Sequence, residues 1–174
     1  MSVKKLPTEV SFEKYIKDIQ AAHKMRGEYL AFIYDELKKT YGKQIAKEVL
    51  SKAIYEYGKY RGKRAIKKNS KLKSGKLQES VNKKRKKIMH NAIFLEDTSQ
   101  RIVYRLRDCF ILDALKELGK TKEEISDICD IAETIGEGKA AVYMDKLGIN
   151  HYWESRVCHG DSYCDHVWTK IQKK

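Results

Sequence analysis

Proline and long apolar runs are both scarce in this sequence of 174 residues. Pro7 is the only proline, so no later helix is forced to kink or end at one. No stretch approaches the twenty consecutive apolar residues of a membrane-spanning helix, and we expect no membrane partner. The N-terminus also lacks the apolar segment and cleavage site of a signal peptide. We therefore expect a cytoplasmic protein, and its 41% hydrophobic content is enough for a folded core.

Disulfides are not expected in that compartment, where cysteines remain reduced thiols. The cysteines are Cys109, Cys129, Cys158 and Cys164. Thiol chemistry, metal binding or packing remain as their uses. The CxxC and HxxxH spacings that are typical of structural zinc are missing, so the sequence predicts no metal site. The structural alternative is that the thiols act as small buried apolar groups and that the histidines are sheet residues whose hydrogen bonds are made within the fold.

Acidic residues are almost missing from residues 59–87, which contain fourteen Lys and Arg and only one acid, Glu79. The net charge of the whole chain is +13, so this basic segment accounts for all of it. A nucleic-acid partner is possible, because such a segment can neutralise phosphates. It is not favoured, since Tyr60 is the only interleaved aromatic residue and no recognition helix is identifiable. A solvated lysine-rich face is the preferred interpretation, and attraction of an anionic substrate or an acidic partner surface is a third use.

Apolar residues recur with the helical period over much of the chain. The predicted helices cover residues 12–39, 43–68, 77–95, 110–118, 122–134 and 138–147. Ser11 and Thr121 are the expected N-caps, and Gly42 and Gly119 the expected breaks. Residues 67–76 are polar and contain glycine, which indicates a linker.

Strand patterns occupy the rest of the C-terminal half. Residues 101–107 alternate apolar and polar side chains, and residues 150–171 are rich in Tyr, Trp, Val and His, which predicts a β-hairpin. The expected fold class is α+β, with N-terminal helices and a small antiparallel sheet packed against helices. We expect one domain over 1–174. Its helical part is 8–95, with the basic arm 59–87, and its α+β part is 100–172.

A two-residue turn at Gly160-Asp161 would set the register of this hairpin. Trp153 then lies opposite Trp168, and Arg156 lies opposite Asp165, which are favourable cross-strand pairs. This register puts Cys158 and Cys164 on opposite faces, so we discount a disulfide between them. Cys158 is the thiol that we expect to matter least.

Three Cys-containing motifs follow one another in this half: Cys109 after a strand, Cys129-Asp130, and Gly160-Asp-x-x-Cys164. In this order they resemble the L-2-amino-thiazoline-4-carboxylic acid hydrolase family. The stretch AKEVLSKAIYEYGKYRGKRA, with Gly58 and Gly62, is similar to that family's second helix, so the resemblance spans about residues 12–170. The last motif also resembles the 4-vinyl-reductase-like small-molecule-binding domains.

The family resemblance implies a hydrolase that acts on a non-peptide carbon–nitrogen bond in a cyclic amidine. Its type substrate is 2-amino-thiazoline-4-carboxylate, which is opened to a carbamoyl product without a redox cofactor. We expect no cofactor. The alternative is a sensor-type small-molecule-binding protein, with nucleic acid bound through residues 59–87.

The chemistry of that reaction requires a nucleophile, a proton shuttle and a group that holds the substrate carboxylate. The predicted catalytic residues are Cys109, Cys129, Asp130, Asp161 and Cys164. A cysteine thiolate can attack, or a water with an aspartate as base, and Asp130 is assigned to pair with the protonated amidine. Histidines can shuttle protons and arginines can clamp a carboxylate. The predicted substrate-binding residues are Arg105, Arg107, His159 and His166.

Overall fold

The computed structural model describes residues 11–69, 71–72 and 75–171. The helices are α1 (Phe12–Tyr41), α2 (Lys43–Lys68), α3 (Leu77–Ser80), α4 (Lys83–His90), α5 (Phe110–Glu117) and α6 (Lys122–Leu147). The strands are β1 (Ile93–Asp97), β2 (Arg101–Leu106), β3 (Ile149–Ser155) and β4 (Cys164–Lys170). The predicted α+β fold is confirmed. The expectations for the first ten residues and for part of the 67–76 linker lie outside the described residues.

The N-terminal helices begin and end at the residues that the sequence marks. The Ser11 hydroxyl accepts a hydrogen bond from the Lys14 N–H at 3.2 Å and caps α1. Gly42, with φ of 85°, ends α1 in a conformation that favours glycine, and α2 starts immediately after it. These two helices form one wall of the molecule.

The prediction of a single helix over residues 77–95 is wrong. Residues 77–80 and 83–90 form two short helices, and Ile93–Asp97 is an edge strand paired with β2. Asn82 caps α4 by accepting a hydrogen bond from the Arg85 N–H at 2.9 Å. Asn91 then ends α4 in the left-handed region, with φ of 46°. These two asparagines divide a segment whose composition alone favours a helix.

Helix α6 is continuous, whereas the sequence pattern predicted a break between residues 134 and 138. Gly136 and Gly138 lie in that interval without ending the helix: Gly136 faces the Trp153 side chain of β3, and Gly138 allows α2 to pack closely. A Cβ on Gly138 would lie 2.0 Å from the Tyr55 carbonyl oxygen, and one on Gly58 2.3 Å from the Ile135 carbonyl oxygen. The missing side chains let the two helix backbones touch.

The sheet is fully antiparallel, with strand order β1-β2-β4-β3. The hairpin of β3 and β4 exists, but the register predicted for it is wrong. His151 lies opposite Trp168 and Trp153 opposite His166, which is a shift of two residues. The shift arises because a 3₁₀ turn at Val157–His159 lengthens the connection, so the predicted pairing of Arg156 with Asp165 is also absent.

Two buried clusters form the core. One joins α1, α2, α5 and α6 around Tyr34, Leu115 and Ile128. The other lies between the sheet and the helices around Ile102 and Tyr143. The domain limits given above stay a prediction. Within the described ranges, no helix is long and apolar enough to cross a membrane.

Candidate functional site

A cavity of about 480 Å³ lies between the sheet and the helices. Residues of α1, α2, α4 and α6 line it together with β2, β3 and β4. This volume is in the range that small-molecule sites occupy. Of the predicted site residues, only Cys109 and His166 line it.

Six cationic side chains line the cavity, and none of them forms a salt bridge with the described residues: Arg26, Arg61, Lys68, Arg85, Lys86 and Lys139. The three arginines are exposed and form a rim with the exposed Lys68, while Lys86 and Lys139 are half-buried. Lys86 Nζ lies 5.1 Å from the centre of the Tyr104 ring. Lys139 Nζ lies 4.7 Å from that of Tyr143 and 5.0 Å from that of Trp168. Cations without carboxylate partners in a concave site attract anions.

Burial lowers the pKa of Lys139 to about 7, and the neighbouring Lys86 charge adds to the effect. A lysine in this environment is part neutral at neutral pH. An anion bound beside it would restore the charged form. The amine is thus sensitive to the charge of whatever occupies the cavity.

Two carboxylates line the cavity, Glu79 and Glu133. Glu133 lies on α6, and its surroundings shift its pKa. Burial raises its pKa, and the charges of Lys86, Arg156 and Arg26 oppose that effect. In the part of the chain that the structure describes, no side chain hydrogen bonds to this carboxylate and no cation pairs with it within 4.0 Å. An ionisable group that is desolvated and left without a direct partner in a cleft is a candidate for catalysis.

Four of the five histidines of the chain line the same cavity: His23, His90, His151 and His166. Burial lowers the pKa of each, to about 4 for His23 and about 3 for His90 and His151. His151 Nε2 and His166 Nδ1 are hydrogen-bonded at 3.1 Å. All four rings are therefore neutral at neutral pH and offer hydrogen bonds without adding charge.

Two buried polar atoms on this wall lack a partner among the described residues. They are His151 Nδ1 and Trp168 Nε1. A buried polar atom without a hydrogen bond costs free energy, on the order of 1–3 kcal/mol. Both side chains line the cavity, so a polar ligand can satisfy them.

The four cysteines are free and lie near enough to affect one another's ionisation. Burial raises the pKa of Cys109 to about 12, so this cavity-lining thiol stays protonated. Cys129 and Cys158 are neighbours, and their interaction raises the pKa of Cys129 and lowers that of Cys158 to about 7. Cys164 Sγ accepts the Val157 N–H at 3.3 Å. Cys158, which we expected to matter least, is thus a neighbour of both Cys129 and Cys164.

Asp130 and its neighbours form a separate group outside the cavity lining. Its Oδ1 lies 2.8 Å from Arg156 Nη1, which donates to it, and 2.8 Å from His159 Nε2. Asp161 Oδ2 accepts the Arg156 N–H at 2.7 Å and holds the 3₁₀ turn. Arg107 is exposed. The structure thus splits the predicted site between the cavity and this surface group.

Arg105 forms an ion pair with Asp165. Its Nε and Nη2 donate to both oxygens of Asp165 at 2.8 Å, and its guanidinium lies 4.2 Å from the centre of the Tyr163 ring. The neighbouring Tyr104 lines the cavity, and successive side chains of a strand point to opposite faces. Arg105 therefore binds the sheet together instead of facing the cavity.

We expect Asp165→Asn to lower the melting temperature by a few degrees, roughly 2–4 °C. The hydrogen bonds from Arg105 hold the pKa of Asp165 below its ordinary value. This stabilisation is present above the unfolded-state pKa of about 3.9 and is lost as pH falls through the lower folded-state value. Thermal melts from about pH 7 to 2 should show the melting temperatures of the two proteins converging at the acid end.

A loss of melting temperature that is independent of pH would contradict the charge-based origin. Glu154→Gln, in a more exposed ion pair with Arg101, is the control and should have less effect.

Sequence reasoning missed Glu133, Lys139 and His151. The first two lie on α6, six residues apart, and both line the cavity. Glu133 follows Cys129 by one helical turn, and this nearness to a motif residue was the available signal.

The fold and the site define the class of protein: an α+β protein whose sheet and helices enclose a basic cavity of small-molecule size. The chain belongs to the L-2-amino-thiazoline-4-carboxylic acid hydrolase family, which matches over residues 22–168. This confirms the family that the cysteine motifs predicted. No curated protein matches the chain. Among solved structures, it is similar to the crystal structure of the phenol-responsive sensory domain of the transcription activator PoxR with phenol. That similarity has 14% identity and a TM-score of 0.48, and covers 89% of this chain and 90% of that one.

Proposed function

We propose that this protein hydrolyses a small cyclic amidine that carries a carboxylate, such as 2-amino-thiazoline-4-carboxylate, inside the cavity. The observation that carries the proposal is the charge arrangement of the cavity wall. One carboxylate without a direct partner, Glu133, is surrounded by cations that also lack salt bridges. Membership of the hydrolase family supports the same conclusion.

The substrate class fits both charges of this wall. A protonated amidine is a planar cation, and Glu133 is the acceptor that it would meet in the interior. The substrate carboxylate would be held by Lys86, Lys139 and the arginine rim, because ionised hydrogen bonds are the strong ones. His151 and Trp168 offer the unsatisfied polar atoms for the remaining edges of the ring. A zwitterion thus offers partners to unpaired groups of both charges on the wall.

Water is the proposed nucleophile, with Glu133 as its general base. Cys109 is the predicted thiol that lines the cavity, and its raised pKa of about 12 disfavours a thiolate at neutral pH. Water adds to the carbon of the protonated amidine, whose ring nitrogen already carries its proton, and Glu133 takes one proton of the water. Collapse of the tetrahedral adduct forms the carbonyl, breaks the ring carbon–sulfur bond and releases the hydroxyl proton to solvent. The proton on Glu133 passes to the thiolate, and the protonated amidine thus gives up one proton overall.

Both nitrogens stay on the carbamoyl product in this scheme. The carbon–nitrogen bond of the amidine is therefore hydrated, and the bond that opens a thiazoline ring is carbon–sulfur. A thiolate is a good leaving group because the pKa of its thiol is only about 8.5. The proposal needs no cofactor. The catalytic roles predicted for Cys129, Asp130, Asp161 and Cys164 stay predictions.

A turnover screen of thiazolines and cyclic amidines, with and without a ring carboxylate, tests the proposal. We expect ring opening only of compounds that carry the carboxylate. Lys86→Gln should raise KM about 10- to 100-fold, because one ionised hydrogen bond is worth about 1.5–3 kcal/mol. Lys84→Gln is the matched control, because Lys84 lies on the same helix, is exposed and does not line the cavity.

Tight binding of these compounds without turnover would contradict the hydrolase and favour the sensor-type alternative. Equal turnover of compounds without the carboxylate would contradict the role of the cations. The nucleic-acid alternative stays a prediction. Four residues of the basic segment, Arg61, Lys68, Arg85 and Lys86, line the cavity, so part of its charge serves a small-molecule site in this proposal.

A further inference from the structure

Three metal-binding residue types converge outside the cavity. One ligand atom each from Asp130, Cys158 and His159 lies within 4.8 Å of the other two. Asp130 comes from α6, and the other two come from the 3₁₀ turn between β3 and β4. The group therefore joins two elements that are far apart in sequence.

A fourth donor lies next to this group. Cys129 precedes Asp130 on α6 and is a neighbour of Cys158, although its thiol is not among the three ligand atoms that lie within 4.8 Å of one another. Thiolate, imidazole and carboxylate are the ligands that zinc takes in tetrahedral sites. The ligands come as two adjacent pairs, Cys129-Asp130 and Cys158-His159, which differs from the CxxC spacing sought in the sequence.

The separations of Asp130, Cys158 and His159 are compatible with a zinc ion after small side-chain rotations, whereas the Cys129 thiol must move further to become the fourth ligand. Tetrahedral bonds of about 2.0–2.3 Å place ligand atoms roughly 3.3–3.8 Å apart. Asp130 Oδ1 and His159 Nε2 are already closer than this, at 2.8 Å, and would open to admit the ion. Arg156, which donates to the same oxygen, can keep its bond to the carboxylate and orient it as an outer partner.

We propose that Asp130, Cys158 and His159, with Cys129 as the fourth ligand, bind one zinc ion that fastens the β3–β4 connection to α6. The ion has a structural role, because none of these ligands lines the cavity. The site is independent of the proposed hydrolysis, so either proposal can fail without the other.

The test begins with the metal content of the full-length protein, measured by mass spectrometry after purification without chelator and with added zinc. We expect about one zinc per chain. His159→Gln and Cys158→Ser should each lower it at least tenfold. His159 is exposed, so its variant should fold even if the cysteine variant does not. His23→Gln and Cys109→Ser, in the cavity wall, are the matched controls and should keep the metal.

Cobalt in place of zinc gives a second measurement, because bound thiolates produce a charge-transfer band. We expect that band in the wild type and its loss in Cys158→Ser. Removal of the metal with a chelator should lower the melting temperature by roughly 5–10 °C, and zinc should restore it. Absence of bound metal, or melting that does not change with the chelator, would overturn the proposal. Loss of metal in Cys164→Ser with retention in His159→Gln would overturn the ligand set.

Discussion

Replacing Glu133 with glutamine is expected to lower kcat about 10²- to 10⁴-fold, the range that a general base contributes. The change keeps the size of the side chain but removes the charge and the ability to take a proton from water. The amidinium of the substrate also loses its proposed partner, so KM should rise as well. Steady-state kinetics of the wild type and the variant on the same thiazoline measure both effects.

The pH profile distinguishes this role from a structural one. A base works only when it is deprotonated, and burial raises the pKa of Glu133. For the wild type, kcat/KM should therefore fall as pH decreases through this raised value, on the acid side of the optimum. The residual activity of Glu133→Gln should lack that acid limb.

Glu137→Gln is the matched control for Glu133. Glu137 lies one turn further along α6, is exposed and does not line the cavity. We expect wild-type kinetics from it. Wild-type turnover by Glu133→Gln would contradict the assignment of Glu133 as the base. The same loss of kcat in both variants would indicate damage to α6 instead.

Replacing Gly58 with alanine is expected to destabilise the protein by about 2–4 kcal/mol, at the upper end of overpacking effects. The new methyl group would lie 2.3 Å from the Ile135 carbonyl oxygen and 3.0 Å from its carbonyl carbon and Cα. Backbone atoms of a packed helix cannot rotate away, so α2 and α6 must separate. The gain in helix propensity from Gly to Ala, about 1 kcal/mol, offsets only part of this.

A thermal melt should show this as a lower transition temperature, by roughly 5–15 °C for a chain of this size. Gly62→Ala is the graded control. Its methyl group would meet the Val142 side chain at 3.1 Å and backbone atoms only at 3.3 Å or more, so we expect a smaller loss. A Gly58→Ala protein as stable as the wild type would show that the helices are not in the contact described here.

Local chemistry predicted many of the element boundaries. Ser11 caps α1, and Thr121 forms a reciprocal capping box with Glu124 at the start of α6. Gly42 stops α1 at its expected position because only a residue without a side chain adopts its backbone angles easily. The strand at β2 was predicted from the alternation of its sequence, although Ile102, Val103 and Tyr104 are all buried.

Non-local contacts decided the features that prediction missed. The glycines around residue 138 predict a helix break when the sequence of α6 is considered alone. In the structure Gly138 lies inside the helix, where it packs on the Tyr55 backbone. The hairpin register depended on the shape of the 156–163 connection, which Asp161 sets by a hydrogen bond to the Arg156 N–H. Nothing in a periodic pattern reports such a contact.

The sequence by itself determined the α+β class, the family and the positions of its cysteine motifs, because these depend on periodicity and on the order of residues along the chain. Only the tertiary structure decided which side chains share a site. It brought Glu133 among Lys86 and the arginines of α1, α2 and α4, and it brought Cys158-His159 to Asp130. The physical reason is that a cavity wall and a ligand cluster are built from faces of separate elements, whose relative placement is set by close packing between them.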